Sequence, residues 1–208
     1  MAAPICSLQD FMEKLEERKH AADLFAFFLF DDRPSHIAVE RFADEEFDWL
    51  DELAASAQMF FFIFLRRDRY RGGVYNPGLE VARMFGIRPN QLPGVVLFTL
   101  SDNEEIVTDG VFLPIKVQLF ADDISSVEKV FSDLFTLIHE CHERSSNPKE
   151  LLQNLSDEFA RLRTKERLRP IVGYLKETAL AIVDFPRNFM GALERALAEE
   201  VSRRLTGG

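Results

Sequence analysis

Two nearly unbroken apolar runs, at residues 24–30 and 59–65, are the strongest features in the pattern of hydrophobic and polar positions along the chain. Each run has the length of a strand, and strands that are apolar on both faces usually lie in the middle of a sheet covered by helices on both sides. Between them, residues 45–57 place apolar side chains at helical spacing among acidic ones, which predicts an amphipathic helix. The order strand, helix, strand favours a right-handed crossover and a largely parallel centre to the sheet.

Weaker signals add a strand and a helix before the first run. Residues 3–6 predict a short strand, and Ser7 with Asp10 resembles a capping box that begins a helix ending near residue 20. The two apolar runs are therefore expected to be the second and third strands of the sheet.

The next stretch predicts another helix and a fourth strand. Asn76 suits a helix cap, and Pro77 suits the first helical position, where its missing N–H has no cost. Gly86 predicts the end of this helix, because glycine adopts the left-handed backbone conformation without strain. The apolar run at 95–98 then predicts a strand, with Pro93 at its mouth, where a cis bond is chemically accessible.

Beyond that strand, the polar pair at 102–103 predicts a turn, and residues 104–108 are expected to return as an antiparallel strand. Residues 114–120 alternate apolar and polar side chains, which leaves an extra edge strand and a loop both open. A long amphipathic helix is predicted over residues 124–143, where apolar side chains recur at helical spacing.

The last part of the chain has a different charge balance. Residues 1–147 carry 14 Lys and Arg against 26 Asp and Glu, whereas residues 148–208 carry 11 against 9. The join at 145–148 is short, polar and contains a proline, as linkers do. We therefore predict a domain of residues 1–146 and a C-terminal extension of residues 147–208.

The extension is predicted to be helical throughout. Apolar stripes at helical spacing suggest three helices, interrupted at Pro170 and Pro186, with Ile182 on the apolar face of the second. Amphipathic helices of this length need cover for their apolar faces. Packing on the first domain and packing on a partner or a second copy of the chain are both open.

The composition excludes several classes of function. A net charge of −10 disfavours nucleic acid as a partner of the whole chain. No apolar run is long enough to span a bilayer, and the first residues lack the basic start and apolar core of a signal peptide. Two cysteines, Cys6 and Cys141, form neither a disulfide framework nor a Cys-x-x-Cys pair, so a reducing, cytoplasmic location is expected.

Three segments carry a resemblance to a known fold. Phe85–Gly86–Ile87 ends a predicted helix, and Leu92–Pro93–Gly94 leads into the apolar strand at 95–98. This succession resembles the thioredoxin-like fold, in which an aromatic-Gly-Val/Ile step ends a helix and a cis-proline precedes an apolar strand. The resemblance covers roughly residues 3–143. It implies an α/β fold with a central mixed sheet flanked by helices, followed in this chain by the all-helical C-terminal extension.

The resemblance also bears on chemistry, because the redox motif of that family follows the strand matched by residues 24–30. This chain has the segment Asp31-Asp32-Arg33-Pro34-Ser35-His36 there. Thiol–disulfide exchange needs one thiolate to attack and a second thiol to resolve, and this segment has neither. The resemblance therefore implies a redox-inactive protein-interaction or adaptor module without a cofactor, with self-association through the helical extension left open.

The family resemblance also indicates where a protein partner would bind. In the family, the segment after that strand meets the loop before the cis-proline at the carboxyl end of the sheet, where the residue before the proline offers backbone bonds to an extended peptide. The partner-binding residues implied in this way are Asp31, Asp32, Arg33, Ser35, His36, Leu92 and Pro93.

A basic segment adds to this prediction. It follows the second apolar run and is expected near the same end of the sheet, with Arg66, Arg67, Arg69, Tyr70 and Arg71. Arginines bind phosphates and carboxylates with paired hydrogen bonds, and an acidic protein segment is the partner expected here. The plainer interpretation, a solvated loop that neutralises an acidic domain, is the favoured one for these arginines.

An alternative from another class is a small-molecule-binding or transferase-like enzyme. A thioredoxin-like domain followed by helices is the arrangement of glutathione transferases, which would use the carboxyl end of the sheet. The short extension and the absence of that family's usual Ser-containing continuation after Pro93 weigh against this alternative.

Two smaller groups of residues suggest catalysis or metal binding, but each has a simpler interpretation. Ser35 and His36 beside two aspartates suggest a hydrolytic triad, but sequence neighbours rarely point at each other as a triad requires, so a turn is favoured. His139 and His142 share a helix face, yet zinc takes about four ligands, and histidines also suit the negative end of a helix. We therefore predict no metal site.

Overall fold

The structure is a computed structural model, and it describes residues 1–5, 7–18, 20–64, 77–100, 110–164 and 181–183, with Arg195 and Ala198. The strands in this part of the chain are β1 (Ala2–Ile5), β2 (Leu24–Leu29), β3 (Met59–Phe64), β4 (Gly94–Phe98), β5 (Gly110–Pro114) and β6 (Ala181–Val183). The helices are α1 (Leu8–Arg18), α2 (Ile37–Glu45), α3 (Phe47–Ser56), α4 (Pro77–Met84), α5 (Val117–Asp122), α6 (Ile124–His142) and α7 (Pro148–Thr164).

The strands form one mixed sheet in the spatial order β1-β3-β2-β4-β5-β6. The first three neighbours, β1, β3 and β2, run parallel, and β4, β5 and β6 each pair antiparallel with the strand before them in that order. The fold is therefore mixed α/β, as the order of elements predicted. No helix in the described ranges is long and apolar enough to cross a membrane.

The largest side chains of the core are phenylalanines. Every residue of β2 and β3 is buried, and because successive side chains of a strand point to opposite faces, both faces of these strands need cover. On one face, Phe11 of α1 packs edge-on against Phe27 and Phe62, with ring centroids 5.0 and 4.9 Å apart. On the other face, Phe131 of α6 packs against Phe28 at 5.3 Å. The largest fully buried side chains are all of this type: Phe11, Phe25, Phe27, Phe28, Phe42, Phe61, Phe62, Phe85, Phe98, Phe112, Phe131 and Phe135.

Most elements predicted from the sequence are confirmed to within one or two residues. The strands β1 to β4 and the helices α1 and α6 lie where their patterns placed them. The Ser7 hydroxyl accepts a hydrogen bond of 3.1 Å from the Asp10 backbone N–H, as a helix cap should. Gly86 ends α4 with φ +68°, the conformation that favours glycine.

The predicted helix at 45–57 is confirmed to within two residues as α3, but the helix before it was not predicted. That helix, α2, begins at Ile37 and ends at Glu45. The two helices are separated at Glu46, which has φ −100° and ψ 17°, and its N–H still bonds to the Phe42 carbonyl at 2.9 Å. The apolar residues Val39 and Phe42 are buried on α2, and their spacing carried the signal that was missed.

Two further predictions need correction. Neither the strand nor the loop left open for residues 114–120 is correct, because Val117–Asp122 forms the short helix α5. The extension is not all-helical, because Ala181–Val183 forms β6, including Ile182, which was predicted to be helical. β6 pairs with β5 and so satisfies backbone groups that β5 would otherwise leave open at the edge.

Two predictions fall outside the described residues, namely the antiparallel strand at 104–108 and the Asn76 cap. In the described part of the chain, β4 has β5 as an antiparallel partner besides β2.

The first helix of the extension packs on the rest of the same chain. The Asn147 side chain caps α7 by accepting a 2.9 Å hydrogen bond from the Glu150 N–H. Four apolar residues of α7 lie in the same buried core as the sheet, namely Leu151, Leu152, Leu155 and Phe159. Packing in the same chain therefore covers this stripe, one of the two possibilities that the sequence left open. The division of the chain at residue 146 stays a prediction.

If α7 belongs to the core, removing its central leucine should destabilise the whole protein. We expect Leu155→Ala to lower the free energy of unfolding by about 2–5 kcal/mol, because the side chain is fully buried and a cavity would replace it. Urea unfolding of the full chain measures this. The exposed Gln153→Ala on the same helix is the control, with an expected change within about 0.5 kcal/mol. A Leu155→Ala protein as stable as the wild type would contradict the packing of α7.

Candidate functional site

The candidate site lies where β2 ends and β4 begins. Leu29, the last residue of β2, pairs with Gly94, the first residue of β4, so the segments just outside these two residues are neighbours. The Leu92–Pro93 peptide bond is cis. A side chain on Gly94 would come within 2.6 Å of the Leu113 carbonyl and the Phe112 ring, which explains why glycine follows the proline. The segment after β2 and the loop before β4 therefore come together, as the resemblance implied.

Asp31 and His36 face each other inside this segment. The Asp31 carboxylate oxygen Oδ1 lies 2.7 Å from His36 Nδ1, and both side chains are almost completely buried. The argument that neighbouring residues would not face each other is wrong for this pair. A short 3-10 turn at Pro34–His36, which opens α2, brings the imidazole back toward the end of β2.

The position of the imidazole proton follows from two competing contacts. His36 Nδ1 also lies 3.1 Å from the backbone nitrogen of Asp31. This second contact would require Nδ1 to accept a hydrogen bond from the Asp31 N–H instead of donating one. The carboxylate contact is shorter and charged, so it decides the tautomer. We therefore place a proton on Nδ1 that is donated to the Asp31 carboxylate.

Arg33 ties this pair to the loop before β4. Its Nε lies 2.6 Å from Asp31 Oδ2 and 2.9 Å from Oδ1, and its backbone N–H donates to the same carboxylate at 3.1 Å. Its Nη2 donates to the Pro89 carbonyl at 2.6 Å and lies 3.4 Å from His36 Nε2. Asp31, Arg33 and His36, which we call the Asp31 cluster, therefore connect both segments of the site.

The contacts of the Asp31 cluster connect the segment after β2 with the loop before β4, and His36 is the member with the chemistry of a general base. The pKa of His36 lies below its ordinary value, chiefly because the imidazole is buried. Arg33 lowers this pKa further, whereas the Asp31 carboxylate and backbone hydrogen bonds at Leu92 and Asp31 raise it in part. A neutral imidazole oriented by a carboxylate is the arrangement of a general base. However, Ser35 is exposed, and His36 Nε2 faces Arg33 and Leu92 instead of a nucleophile. The geometry therefore gives no support to a hydrolytic triad.

Above the Asp31 cluster lies an exposed surface of mixed character. It is apolar at Ile37, which is 56% exposed at the start of α2, and basic at Arg33 and Arg88. We call it the carboxyl-end surface and define it by its exposed residues on both segments: Arg33, Pro34, Ser35, Ile37, Arg88, Pro89 and Asn90. Four of the residues predicted to bind a partner are buried beneath it, namely Asp31, His36, Leu92 and Pro93.

The backbone beside the cis bond is already engaged in part. The Leu92 N–H donates to the Pro89 carbonyl at 3.3 Å, and the Pro93 carbonyl accepts a 2.8 Å bond from Ile115. The Leu92 side chain is buried. An extended peptide that bonds to the Leu92 backbone would therefore replace the weak 3.3 Å bond.

The remaining predicted residues are not placed by the structure or have ordinary surroundings. Arg66, Arg67, Arg69, Tyr70 and Arg71 lie outside the described residues. Asp32 is half-buried beside the Asp31 cluster.

The two histidines of α6 have different surroundings in the described part of the chain. His139 is exposed, and His142 Nε2 lies 3.7 Å from the Asp23 carboxylate. Within the described ranges, no group of three or more His, Cys, Asp or Glu side chains is placed to hold a metal ion. Between the histidines, burial raises the pKa of the Cys141 thiol, which makes it a poor nucleophile.

Sequence reasoning missed a cavity of about 330 Å³ at the amino ends of β2 and β3. Its polar walls come from His20, Asp23, Gln58 and His142, and Met59 contributes apolar surface. These residues come from separate segments that only the folded chain brings together. The cavity lies at the opposite end of the parallel strands from the carboxyl-end surface, so it does not support a transferase-like site at the carboxyl end.

Comparisons of the chain with protein-family models, with curated proteins and with solved structures found no match.

The burial of His36 predicts how stability depends on pH. Because the pKa of His36 is lower in the folded chain than in the unfolded chain, the unfolded state binds more protons as the pH falls. We expect the free energy of unfolding to decline as the pH drops through about 6.5, the pKa of an unperturbed histidine. His36→Gln should make this decline shallower in urea titrations at several pH values, and His139→Gln is the exposed control. Equal slopes for His36→Gln and the wild type would contradict the analysis.

Proposed function

We propose that this chain is a redox-inactive protein-interaction module of the thioredoxin-like fold, and that it binds an acidic protein segment on the carboxyl-end surface. The strand order β1-β3-β2-β4-β5, with β4 and β5 antiparallel, supports the proposal. A central mixed sheet flanked by helices is what the sequence resemblance implies.

The observation that carries the proposal is the Asp31 cluster itself. It occupies the place where the resemblance would put a pair of thiols, and its side chains are committed to one another and to the Pro89 carbonyl. Its contacts hold the exposed Arg33 in place, and Ile37 follows the buried His36 directly at the start of α2. Side chains already held in place lose less conformational entropy on binding, which supports a role in recognition.

The character of this surface indicates its partner. Arg88 presents positive charge on a chain whose net charge is −10, and Arg33, although paired with Asp31, keeps 42% of its side chain exposed, so an acidic segment is complementary to this region. The exposed Ile37 side chain offers an apolar contact between them. The expected partner segment therefore combines acidic side chains with at least one apolar side chain.

Self-association through the extension is a weaker part of the proposal. The apolar face of α7 is covered within the chain, so a self-association surface would have to come from residues after 164. A cytoplasmic location also stays a prediction that rests on the cysteine content.

Peptides selected from a random display library on the folded protein test the proposed surface. We expect the selected peptides to be acidic with an apolar residue, and their affinity to fall as salt rises. Ile37→Glu should weaken binding about tenfold or more in fluorescence anisotropy, because it replaces the apolar contact with a repulsive charge. Arg88→Glu should weaken binding less and reduce its salt dependence.

Matched variants separate a local effect from a general one. Ile124 is also an exposed isoleucine that begins a helix, so Ile124→Glu makes the same change on α6. Lys129→Glu reverses an exposed charge on α6 and is the control for Arg88→Glu. Peptides that bind equally well to Ile37→Glu and to Ile124→Glu would place the binding site elsewhere, and reduction of insulin disulfides by the chain would overturn the redox-inactive part.

A further inference from the structure

Among the strands that the structure describes, β1 lies at one end of the sheet and has β3 as its neighbour on one side, with no described strand on the other. Such an edge is a ready template for pairing with another chain. The register shows which groups face outward. The Phe61 N–H donates to the Met1 carbonyl at 2.9 Å, so Met1 and Ala3 direct their backbone groups toward β3, and Ala2 and Pro4 direct theirs away from the sheet.

Side chains from two helices occupy these outward-facing groups. The Ala2 N–H donates to the Asp51 carboxylate of α3. Pro4 has no N–H to offer a new strand, and its carbonyl accepts a hydrogen bond from the Lys14 ammonium of α1. Lys14 is held in place by Asp10, with 2.8 Å between Nζ and Oδ1.

We propose that Pro4, Lys14 and Asp51 close the β1 edge against the addition of a strand, above all from a second copy of this chain. A strand that paired here would need the Ala2 N–H as a donor and the Pro4 carbonyl as an acceptor, and both are taken. It would also need a donor where proline has none. Partner binding and self-association therefore avoid this edge.

Simple satisfaction of polar groups does not account for all three features. A hydrogen bond from a side chain satisfies a backbone group, but a proline at the next outward position satisfies nothing and only removes a donor. Proline on an edge strand and a lysine beside it are two of the devices by which native proteins avoid edge-to-edge pairing. The carboxylate of Asp51 adds a negative charge beside the amide that a new strand would have to reach.

The test opens the edge and measures assembly. The variant Pro4→Val with Lys14→Ala and Asp51→Ala restores a donor and frees the two occupied groups. We expect its mass by light scattering to rise to at least twice that of the wild type as concentration increases. Lys129→Ala with Glu52→Ala changes the same charges at exposed positions of α6 and α3, and should keep the wild-type mass.

Two results would overturn the proposal. One is an opened variant that keeps its far-ultraviolet circular dichroism and its wild-type mass at every concentration. The other is a wild-type chain that self-associates with concentration-dependent protection of the Ala2 amide from hydrogen exchange. If the triple variant does not fold, Lys14→Ala with Asp51→Ala, which frees both occupied groups, is judged by the same criterion. Its control is Lys14→Arg with Asp51→Asn, which keeps a donor and an acceptor at the same positions.

Discussion

The buried carboxylate of Asp31 is the interaction on which the candidate site depends. A buried charge is costly unless it is paired and hydrogen-bonded, and here the charge accepts hydrogen bonds from His36 and Arg33. Because Arg33 also donates to the Pro89 carbonyl, the same carboxylate joins the end of β2, the start of α2 and the loop before β4. Removing either partner would leave a buried charge only partly compensated, which costs more than the pair contributes.

The core determines where this carboxylate lies. β2 is buried on both faces, by α1 on one side and by helices including α6 on the other. Beyond Leu29, a chain that continued straight in the plane of the sheet would leave the core. It turns back through Asp31 and Pro34 into α2, whose residues Val39 and Phe42 are buried in the same core. The site is therefore a consequence of how an apolar strand ends beneath covering helices.

Much of the fold was predictable because its signals are local. A few neighbouring residues are enough to predict the phenylalanine-rich strands β2 and β3 and the left-handed conformation of Gly86. Helix α2 was not predicted, because the segment before it has the Asp and Pro residues of a turn and its own apolar spacing, at Val39 and Phe42, is short. β6 was missed for a different reason, since Ile182 fits a helical stripe and only the open side of β5 makes it a strand.

The candidate site was predictable in position but not in geometry. The resemblance placed residues 31–36 beside Pro93, and the pairing of Leu29 with Gly94 brings the two segments together. The contact between Asp31 and His36 depends on a turn of three residues whose direction no sequence pattern reports. The arrangement of Lys14 and Asp51 around β1 likewise joins residues from two helices to one strand, so only the folded chain displays it.

Hydrogen exchange of the backbone amides, with and without a saturating acidic peptide, tests the central claim most directly. If the carboxyl-end surface binds the peptide, the amides of residues 33, 35–37, 88 and 90–92 should exchange more slowly in the complex, because bound peptide shields them and stiffens the two segments that Arg33 connects. The amides of α7 should be unaffected. Protection confined to α6, α7 or the cavity at the amino ends of β2 and β3 would contradict the account.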